Sequence, residues 1–460
     1  MVSYTGSVKI PHHPAFDHNR NDGHLLQAQI EKFQKVGEKH LMSRRRVVIT
    51  GLGCISPVGN SPEAAWDSIK NGKSGISKIS LIDTSDLRVH IAGEVKDFNP
   101  QDYGIEKKST RKMARFTRYA VAAASQAVKD SGYDKDSLQK EKCGVFMGCC
   151  IGGIEAAAEG FDKLATSTPD RMPPLTTPLM ITNEAAANIN MFFELNGFSY
   201  TMGTACSSGT DAIGLSADLI RAGRCDLCIT GGTDAPLTRF SVACYDALQA
   251  LSRNFNDTPE KACRPFDKDR DGFIISEGSA VLILEELEHA KKRGAKIYAE
   301  IAGFGSSCDA YHITSPVKDG SIAALSVKAA LEDAGIPPEK LDYYNVHGTS
   351  TQINDLAETQ MLKTALGRHA YDISISSTKS MTGHMIGAAG AIEALFCVKA
   401  INDSFVPPTI NLDNQDIDGG CDLNYTPNKG FEKNIDYAAT GSLGFGGHNG
   451  CLIIKKYTEF

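Results

Sequence analysis

The sequence predicts an α/β fold built from two similar halves. Short β-rich runs alternate with helical patterns along most of the 460 residues, which is typical of α/β architecture. Two segments also share one form, a short strand, then a polar turn, then a helix of small residues. One surrounds Cys206 and the other surrounds Lys379 and His384. Both helices are nearly free of charge on every face, so we expect both to be buried in the centre.

The separate elements follow from local pattern. Residues 47–50 form an apolar strand, and Ser61-Pro62-Glu63 predicts a helix that ends near Gly72, with proline at its first position. Residues 115–129 form a second helix, and the halves meet near residue 296. Further strands are predicted at residues 144–147, 199–202, 227–230, 281–284, 298–302, 343–346, 373–376 and 452–455.

Composition excludes several classes of protein. The net charge is −7 without a long basic stripe, so we expect no nucleic-acid partner. No run of roughly 18 apolar residues occurs, so we expect no membrane insertion. The 13 cysteines are scattered rather than densely spaced, which predicts reduced thiols in the cytoplasm or, alternatively, in an organelle matrix.

Residues 1–41 differ from the rest of the chain. They are polar and rich in histidine, with a short helical stretch at residues 25–39. No signal-peptide core is present, and the acidic residues argue against a transit peptide. We therefore treat residues 1–41 as an extension, natural or expression-derived, without a part in the chemistry.

Cys206 is a candidate nucleophile. It lies between an apolar strand and the first turn of a helix, among small residues that leave room for a thioester. The helix N-terminus places unpaired N–H groups beside the sulfur, which favours the thiolate. The alternative is a cysteine that only fills the core.

His347 and Lys379 are candidates for the same cleft. His347 follows a predicted strand, at the end where open α/β sheets bind ligands; alternatively it only satisfies turn carbonyls. Lys379 leads into a helix too apolar for the surface, and a buried ammonium needs a carboxylate partner, for which Glu358 and Asp355 are candidates. The glycines at 441–450 permit close approach of backbone to a ligand, or form a plain turn.

Together these elements resemble the β-ketoacyl-(acyl carrier protein) synthases, the elongating condensing enzymes of thiolase-like fold. The resemblance runs from Arg45 almost to the C-terminus and is strongest to the type II class of dissociated pathways. It includes VVITGLGCISPVG, GTACSSG, RPFDKDRDGF, AYHITSP, HGTST, STKSMTGHMIGAAGAIEA, VPPTINLDN and GFGGHNG. It implies a five-layered α-β-α-β-α core, with residues 42–295 as the half that carries the cysteine and 296–460 as the half that carries two catalytic histidines.

The resemblance also implies a role for each matching residue. Cys206 takes the acyl chain from its carrier, and His347 and His384 bind the malonyl thioester carbonyl and assist decarboxylation. Lys379, paired with Glu358, holds the histidine region electrostatically. The backbone N–H groups of Cys206 and Phe445 form the oxyanion hole, and Phe445 is the gating aromatic residue.

Five further residues match substrate-binding positions of the family. Thr314, Thr349 and Thr351 fall where the family contacts the pantetheine arm or the malonyl group. Ile151 matches the floor of the acyl pocket, close to the dimer partner. Leu443 departs from the family, which has phenylalanine in the turn S-F-G-F-G-G, and this leaves the chain-length preference open.

The predicted reaction joins acyl and malonyl carrier-protein thioesters in fatty-acid elongation, without a cofactor or metal. Acyl carrier protein and a second copy of the chain are the predicted partners. A basic patch at Arg111, Lys112, Arg115 and Arg118 is either a carrier docking site or a solvated helix face.

Two metal-like motifs are set aside. DKDRDG lacks the last carboxylate of a calcium loop, and the CxxC at 225–228 is isolated. Rival functions are a polyketide-type synthase, a decarboxylating or chain-length subunit, a biosynthetic thiolase using Cys451, a Cys-His hydrolase and a non-catalytic binding protein.

Overall fold

The computed structural model describes residues 44–459, and the predictions for residues 1–41 lie outside this range. From Arg45 onward the chain forms one compact unit. Its strands are β1 Val47–Ile55, β2 Ile76–Lys78, β3 Ile91–Gly93, β4 Cys143–Gly148, β5 Ser199–Met202, β6 Leu227–Asp234, β7 Gly278–Glu286, β8 Ala299–Cys308, β9 Tyr343–Asn345, β10 Ser374–Ser376, β11 Phe405–Val406, β12 Phe431–Glu432, β13 Tyr437–Gly444 and β14 His448–Lys456.

Helices connect most of these strands. The first begins as predicted, because the Ser61 hydroxyl accepts the backbone N–H of Ala64 at 3.2 Å and Pro62 opens the helix. No helix among residues 44–459 is long and apolar enough to cross a bilayer. The helices are α1 Pro62–Lys70, α2 Lys107–Thr110, α3 Arg115–Asp130, α4 Lys135–Leu138, α5 Ile154–Thr166, α6 Thr176–Met180, α7 Glu184–Phe193, α8 Ser208–Arg221, α9 Arg239–Ala247, α10 Leu287–Lys292, α11 Ala323–Ala334, α12 Gln352–Leu366, α13 Lys379–Thr382 and α14 Ala389–Asp403.

The main sheet shows the duplication directly. Its order is β10-β9-β13-β14-β8-β1-β7-β6-β4-β5. Each half contributes five strands to this sheet, β1, β4, β5, β6 and β7 from the first and β8, β9, β10, β13 and β14 from the second. The two sets repeat one arrangement, in which the third of the five is at the edge and the first is at the centre. The centre is the antiparallel contact between β1 and β8. The predicted boundary between residues 295 and 296 falls just before β8 and stays a prediction.

The two small-residue helices lie between the halves of the sheet. α8 packs on β6 and β4 of one half and on β8 of the other, and α14 packs on β13 and β14 as well as on β7. α3 covers the outer face of β1 and β7, and α11 covers β8 and β14. The layers are therefore helix, sheet, central helices, sheet and helix, with the apolar core on both sides of α8 and α14.

One strand of the repeat was not predicted. β13 reads YAATGSLG, and its glycine and alanine content gives a weak strand signal. It pairs antiparallel with β14, and the partner of Gly441 is Cys451. Gly444, the last residue of β13, has a spatial reason, since a Cβ there would lie 2.7 Å from the Thr204 carbonyl oxygen and 3.2 Å from the nitrogen of Cys206. The sheet can therefore approach the turn that carries Cys206.

Candidate active site

Cys206 lies in a tight turn between β5 and α8. Residues Ala205–Ser207 form a single 3-10 turn that runs into the helix. Ala205 has φ +51, a left-handed conformation that L-residues with a side chain seldom adopt. The turn is held by the Ser208 hydroxyl, which donates to the Ala205 carbonyl at 2.6 Å and accepts the Thr204 N–H at 3.0 Å. The strained turn thus presents the sulfur to the cavity, as the small neighbours predicted.

Two imidazoles from the other half of the chain face this sulfur. Nε2 of His384 lies 3.0 Å from Sγ of Cys206, and the His347 and His384 rings are perpendicular with their centres 5.1 Å apart. His347 follows β9, and His384 lies in the turn before α14. The fold therefore brings the three predicted catalytic residues together in one buried cluster.

The partner of Lys379 differs from the prediction. Its ammonium pairs with the carboxylate of Glu393 and lies 3.2 Å from Nδ1 of His347. The predicted pairing with Glu358 is wrong, because Glu393 projects from α14 directly onto Lys379, whereas the Glu358 carboxylate is already engaged by backbone donors. The available signal was Glu393 itself, a carboxylate in the apolar part of a helix that the sequence marks as buried.

Glu358 instead holds the histidine loop. Its oxygens accept the backbone N–H groups of His347 at 2.6 Å and Gly348 at 2.7 Å. Burial raises the pKa of Glu358 to about 8, against these two hydrogen bonds and Lys379, which lower it. Glu358 therefore supports the site through the backbone and not as the lysine's counter-ion.

The protonation states of the cluster follow from its burial. Burial raises the pKa of Cys206 to about 11, although Lys379 and the backbone N–H groups of Phe445 and Cys206 lower it. The donors expected at the helix start act in the predicted direction, but desolvation outweighs them and favours the thiol. Burial, with the charge of Lys379, also lowers the pKa of both His347 and His384 well below 6.5. These pKa directions favour a neutral thiol beside two neutral imidazoles in the resting site.

The cluster opens into a cavity of about 760 Å³. Cys206, His347 and His384 line it together with Phe445, Leu443 and the three threonines Thr314, Thr349 and Thr351. Ile151 is not among the lining residues, but its neighbour Cys150 is, and both belong to the apolar cluster that includes Ile386. Four of the five predicted substrate-binding positions therefore line the cavity, and the fifth, Ile151, is next to a lining residue.

Phe273 completes the surroundings of the histidines and was missed from the sequence. Its ring meets His384 edge to face, with centres 5.4 Å apart, and it lines the cavity. It belongs to the RPFDKDRDGF motif. Nothing in that motif by itself indicates a contact with a histidine more than 100 positions later.

The same three side chains have the donor types and spacing of a metal site. One ligand atom from each of Cys206, His347 and His384 lies within 4.8 Å of the others, and cysteine and histidine are the usual zinc ligands. The ammonium of Lys379 is 3.2 Å from His347 Nδ1, and its positive charge opposes a second cation there. That the site works without a metal stays a prediction.

The predicted basic patch is only partly available. Arg111 and Lys112 are exposed. The Nε atom of Arg115 lies 3.1 Å from the buried carboxylate of Glu277, and Arg118 donates to two backbone carbonyls. The patch is therefore corrected to Arg111 and Lys112, with the exposed Lys107 and Lys108 of α2 beside them.

Comparison with known proteins gives consistent matches over nearly the whole described chain. The family described as "Beta-ketoacyl synthase, N-terminal domain" matches residues 44–290, and "Beta-ketoacyl synthase, C-terminal domain" matches residues 298–413. The chain is 44% identical over 417 residues to the 3-oxoacyl-[acyl-carrier-protein] synthase 2 of Staphylococcus aureus (strain COL), covering 91% of this chain and 100% of that protein. It is 45% identical over 416 residues to the protein of the same name from Synechocystis sp., covering 90% and 99%.

Solved structures agree with these matches. The ishigamide ketosynthase/chain length factor has a TM-score of 0.85 at 36% identity, covering 90% of this chain and 100% of that chain. A type II PKS acyl-carrier protein in complex with its ketosynthase bound to the hexaketide gives 0.83 at 34% identity, with the same coverage. A β-ketoacyl synthase from Burkholderia phymatum gives 0.83 at 33%, again with the same coverage. The predicted thiolase-like α/β fold is confirmed.

Proposed function

The chain belongs to the β-ketoacyl synthase family, and from that premise we propose that it is a 3-oxoacyl-[acyl-carrier-protein] synthase, an acyltransferase of fatty-acid elongation. The reaction is a decarboxylative Claisen condensation of acyl and malonyl carrier thioesters through an acyl-Cys206 intermediate. The observation that carries the proposal is the 3.0 Å contact between Cys206 Sγ and His384 Nε2 at a cavity that His347 also lines.

The first step transfers the acyl chain to Cys206. The sulfur attacks the thioester carbonyl while its proton passes to Nε2 of neutral His384. The oxyanion forms beside the backbone N–H groups of Cys206 and Phe445, both of which already interact with the sulfur. The carbon–sulfur bond to the carrier then breaks, and the departing thiolate takes the proton from His384. Acyl-Cys206 and a carrier thiol result.

The second step makes the carbon nucleophile. Nδ1 of His347 faces the ammonium of Lys379, which can only donate, so the hydrogen of this imidazole is on Nε2. Nδ1 of His384 has no hydrogen-bond partner among residues 44–459, so neither tautomer of His384 is fixed. Both Nε2 atoms can therefore donate to the malonyl thioester carbonyl. Loss of carbon dioxide leaves an enolate that the two donors stabilise.

The third step joins the two substrates. The enolate carbon attacks the carbonyl of acyl-Cys206, and the oxyanion again forms beside the same two backbone donors. Collapse breaks the bond to Cys206 and releases the 3-oxoacyl carrier thioester. The sulfur leaves as a thiolate and takes a proton from water, which restores the resting thiol. Lys379 and Glu358 position His347 throughout, one by charge and one through the backbone.

Acyl carrier protein is the proposed partner of the cavity mouth. The exposed cations Lys107, Lys108, Arg111 and Lys112 offer a site for an acidic protein. Thr314, Thr349 and Thr351 line the cavity and supply hydroxyl groups for a pantetheine arm or a malonyl group. A structurally similar ketosynthase has been solved in complex with an acyl-carrier protein, which supports this proposal.

A homodimer is the proposed assembly. β5 is an edge strand of the sheet, and an unpaired edge can pair with another chain. Apolar side chains exposed on α5 and α7 and on β5 itself include Phe161 at 72%, Met191 at 65% and Tyr200 at 51%. Such a patch is typical of a protein interface.

A reducing compartment, the cytoplasm or an organelle matrix, stays our prediction, and the free cysteines support it.

A polyketide-type synthase is the second candidate. One structural neighbour, with a TM-score of 0.83, is the ketosynthase of a type II PKS, and Leu443 lines the cavity where the fatty-acid family has phenylalanine. A chain-length subunit is disfavoured because Cys206 is present. A biosynthetic thiolase is disfavoured because Cys451 is fully buried beside the Tyr344 hydroxyl and away from the cavity lining.

The test is mass spectrometry of the products from the full chain with malonyl carrier protein and graded acyl carriers. Fatty-acid elongation gives a single two-carbon addition to each saturated acyl chain. Repeated additions without reduction would favour the polyketide-type synthase. Release of free acid without any condensation product would favour a hydrolase, and no acyl label on Cys206 would leave only a binding protein.

A further inference from the structure

Asp234 joins two separate segments of the cavity wall. It is the last residue of β6 and is fully buried. One oxygen, Oδ2, accepts the N–H of Cys150 at 3.0 Å and of Gly387 at 2.8 Å. The other, Oδ1, accepts the N–H of Ile151 at 3.0 Å and of Gly152 at 3.3 Å.

The two segments adjoin each other at the cavity, since the N–H groups of Cys150 and Gly387 bind the same oxygen of Asp234. Cys150 belongs to the loop after β4, and Ile386 to the 3-10 turn between His384 and α14. Both side chains line the cavity, and Ile151 packs in the same apolar cluster. A single carboxylate thus connects the predicted floor of the acyl pocket to the turn that follows a catalytic histidine.

The geometry of this connection is tightly constrained. Ile386 has φ +51, which is a genuine outlier for a β-branched residue and persists only where neighbours fix it. A Cβ on Gly387 would lie 2.5 Å from Oδ2 of Asp234 and 2.8 Å from the nitrogen of Cys150. Glycine at this position is therefore what allows the turn and the loop to meet on the carboxylate.

The bonding also requires a carboxylate. Every hydrogen-bonding partner of Asp234 in the described chain is a donor, four backbone N–H groups and the Cys149 thiol. An ionised carboxylate accepts at both oxygens, whereas an amide would turn one N–H₂ toward N–H groups. Burial raises the pKa of Asp234, and the backbone donors oppose that shift.

We propose that Asp234 is a positioning residue that fixes the separation between the Cys150–Ile151 wall and the Ile386–Gly387 wall, and thereby sets which acyl chains reach Cys206. This rests on the proposed function, since acyl chains are the substrates of the same cavity. It adds a residue outside the cavity lining that determines specificity through two segments at once.

The test compares Asp234→Asn and Asp234→Glu with the native chain. Asp234→Asn removes acceptors for the backbone N–H groups of the two segments. Asp234→Glu keeps the negative charge but makes the side chain longer by one methylene. The readout is the rate of Cys206 acylation by short-chain and long-chain acyl carrier protein, followed by mass spectrometry. We expect the long-to-short ratio to change by about tenfold in both variants, since one methylene of pocket space has that effect.

A matched control is Glu94→Gln. Glu94 is a buried carboxylate that also binds two backbone N–H groups, those of Ser80 and Leu81, but none of these three residues lines the cavity. This variant should lose stability and keep the native ratio. If Asp234→Asn does not fold, Asp234→Glu carries the test. A native ratio in every folded Asp234 variant overturns the proposal.

A second probe separates this proposal from the proposed function. N-alkylmaleimides of increasing alkyl length modify Cys206 without any carrier or condensation. Their long-to-short rate ratio should shift in the Asp234 variants and not in Glu94→Gln. One outcome is that the native protein takes no acyl group from a carrier while the maleimide rate ratio still shifts in the Asp234 variants. In that outcome the proposed function fails and the role of Asp234 stands. The reverse pattern is normal acylation of the native protein with no change in the acylation ratio or the maleimide ratio of the Asp234 variants. That result would reject the proposed role of Asp234.

Discussion

Sγ of Cys206 lies 3.0 Å from Nε2 of His384, although 178 positions separate the two residues in the chain. Burial favours the neutral form of both partners, because it raises the pKa of the thiol and lowers that of the imidazole. The pair is therefore a proton donor and acceptor at contact distance, not a preformed ion pair. Charge develops only when a thioester enters.

Cys206→Ala should abolish elongation and retain malonyl decarboxylation. The variant removes the sulfur but leaves the two imidazoles that hold the enolate. We expect elongation to fall more than about a thousandfold, measured as 3-oxoacyl product, while carbon dioxide release from malonyl carrier protein continues. Cys244→Ala removes an exposed cysteine and is the control. Normal elongation by Cys206→Ala would show that the nucleophile is another group.

Alkylation of Cys206 by iodoacetamide should keep rising with pH up to about 11. Burial raises the pKa of this thiol to about 11, and only the thiolate reacts. Lys379→Met removes a charge that lowers this pKa, so the rate at about pH 8 should fall by up to about tenfold. The modified peptides are followed by mass spectrometry, with exposed Cys244 as reference. A plateau near neutral pH in the native chain would contradict the predicted resting thiol.

Glu358→Gln should make the stability less dependent on pH. Burial raises the pKa of Glu358 from 4.5 to about 8. Between these values the folded chain holds a proton that the unfolded chain releases, so this group's contribution to the free energy of unfolding falls as the pH rises. The slope is at most about 1.4 kcal/mol per pH unit. Glutamine does not titrate, so urea unfolding at about pH 5 and about pH 8 should give a smaller difference than in the native chain.

The control for Glu358→Gln is Glu332→Gln, which makes the same change at an exposed position on α11. It should leave the difference in unfolding free energy between the two pH values unchanged. Equal differences in the native chain and in Glu358→Gln would mean that Glu358 is already ionised in the folded state.

Leu443→Phe should shift the products to shorter chains. Leu443 lines the cavity, and the larger aromatic ring, which is the residue of the family turn, removes space for the acyl chain. The longest products should be lost first in mass spectra of the product mixture. Leu325→Phe makes the same change at an exposed site on α11 and should have no effect. An unchanged product range in Leu443→Phe would place the length limit elsewhere.

Phe161→Glu should weaken the proposed dimer. Phe161 is 72% exposed on α5, and a carboxylate buried in an interface without a partner is strongly unfavourable. Sedimentation velocity should give the mass of a dimer for the native chain and a larger monomer fraction for the variant. Ile417→Glu alters an exposed apolar residue, 59% accessible, and should sediment as the native chain does. A native chain that sediments as a monomer would exclude the homodimer.

Much of the fold was predictable because its signals are local. The Ser61-Pro62 start of α1, the extent of α3 and the strand at residues 199–202 depend on neighbouring residues in the chain. The burial of α8 and α14 followed from their lack of charge. β13 was missed because its residues were chosen for close approach to the turn at Cys206 and not for strand propensity.

Within the site, the sequence identified residues but not their partners. The sequence predicted the four reactive side chains of the site, because the chemistry requires those residue types. They are Cys206, His347, His384 and Lys379. That Lys379 pairs with Glu393, that Glu358 binds backbone, and that Asp234 links two walls depend on which segments meet in space. Desolvation is also a property of the packed core, so the raised pKa of Cys206 is a tertiary result that reverses the local effect of a helix N-terminus. Residue types and local patterns indicated the chemistry and the two-half fold, whereas the packing of distant segments sets the charge states and the contacts that hold the site.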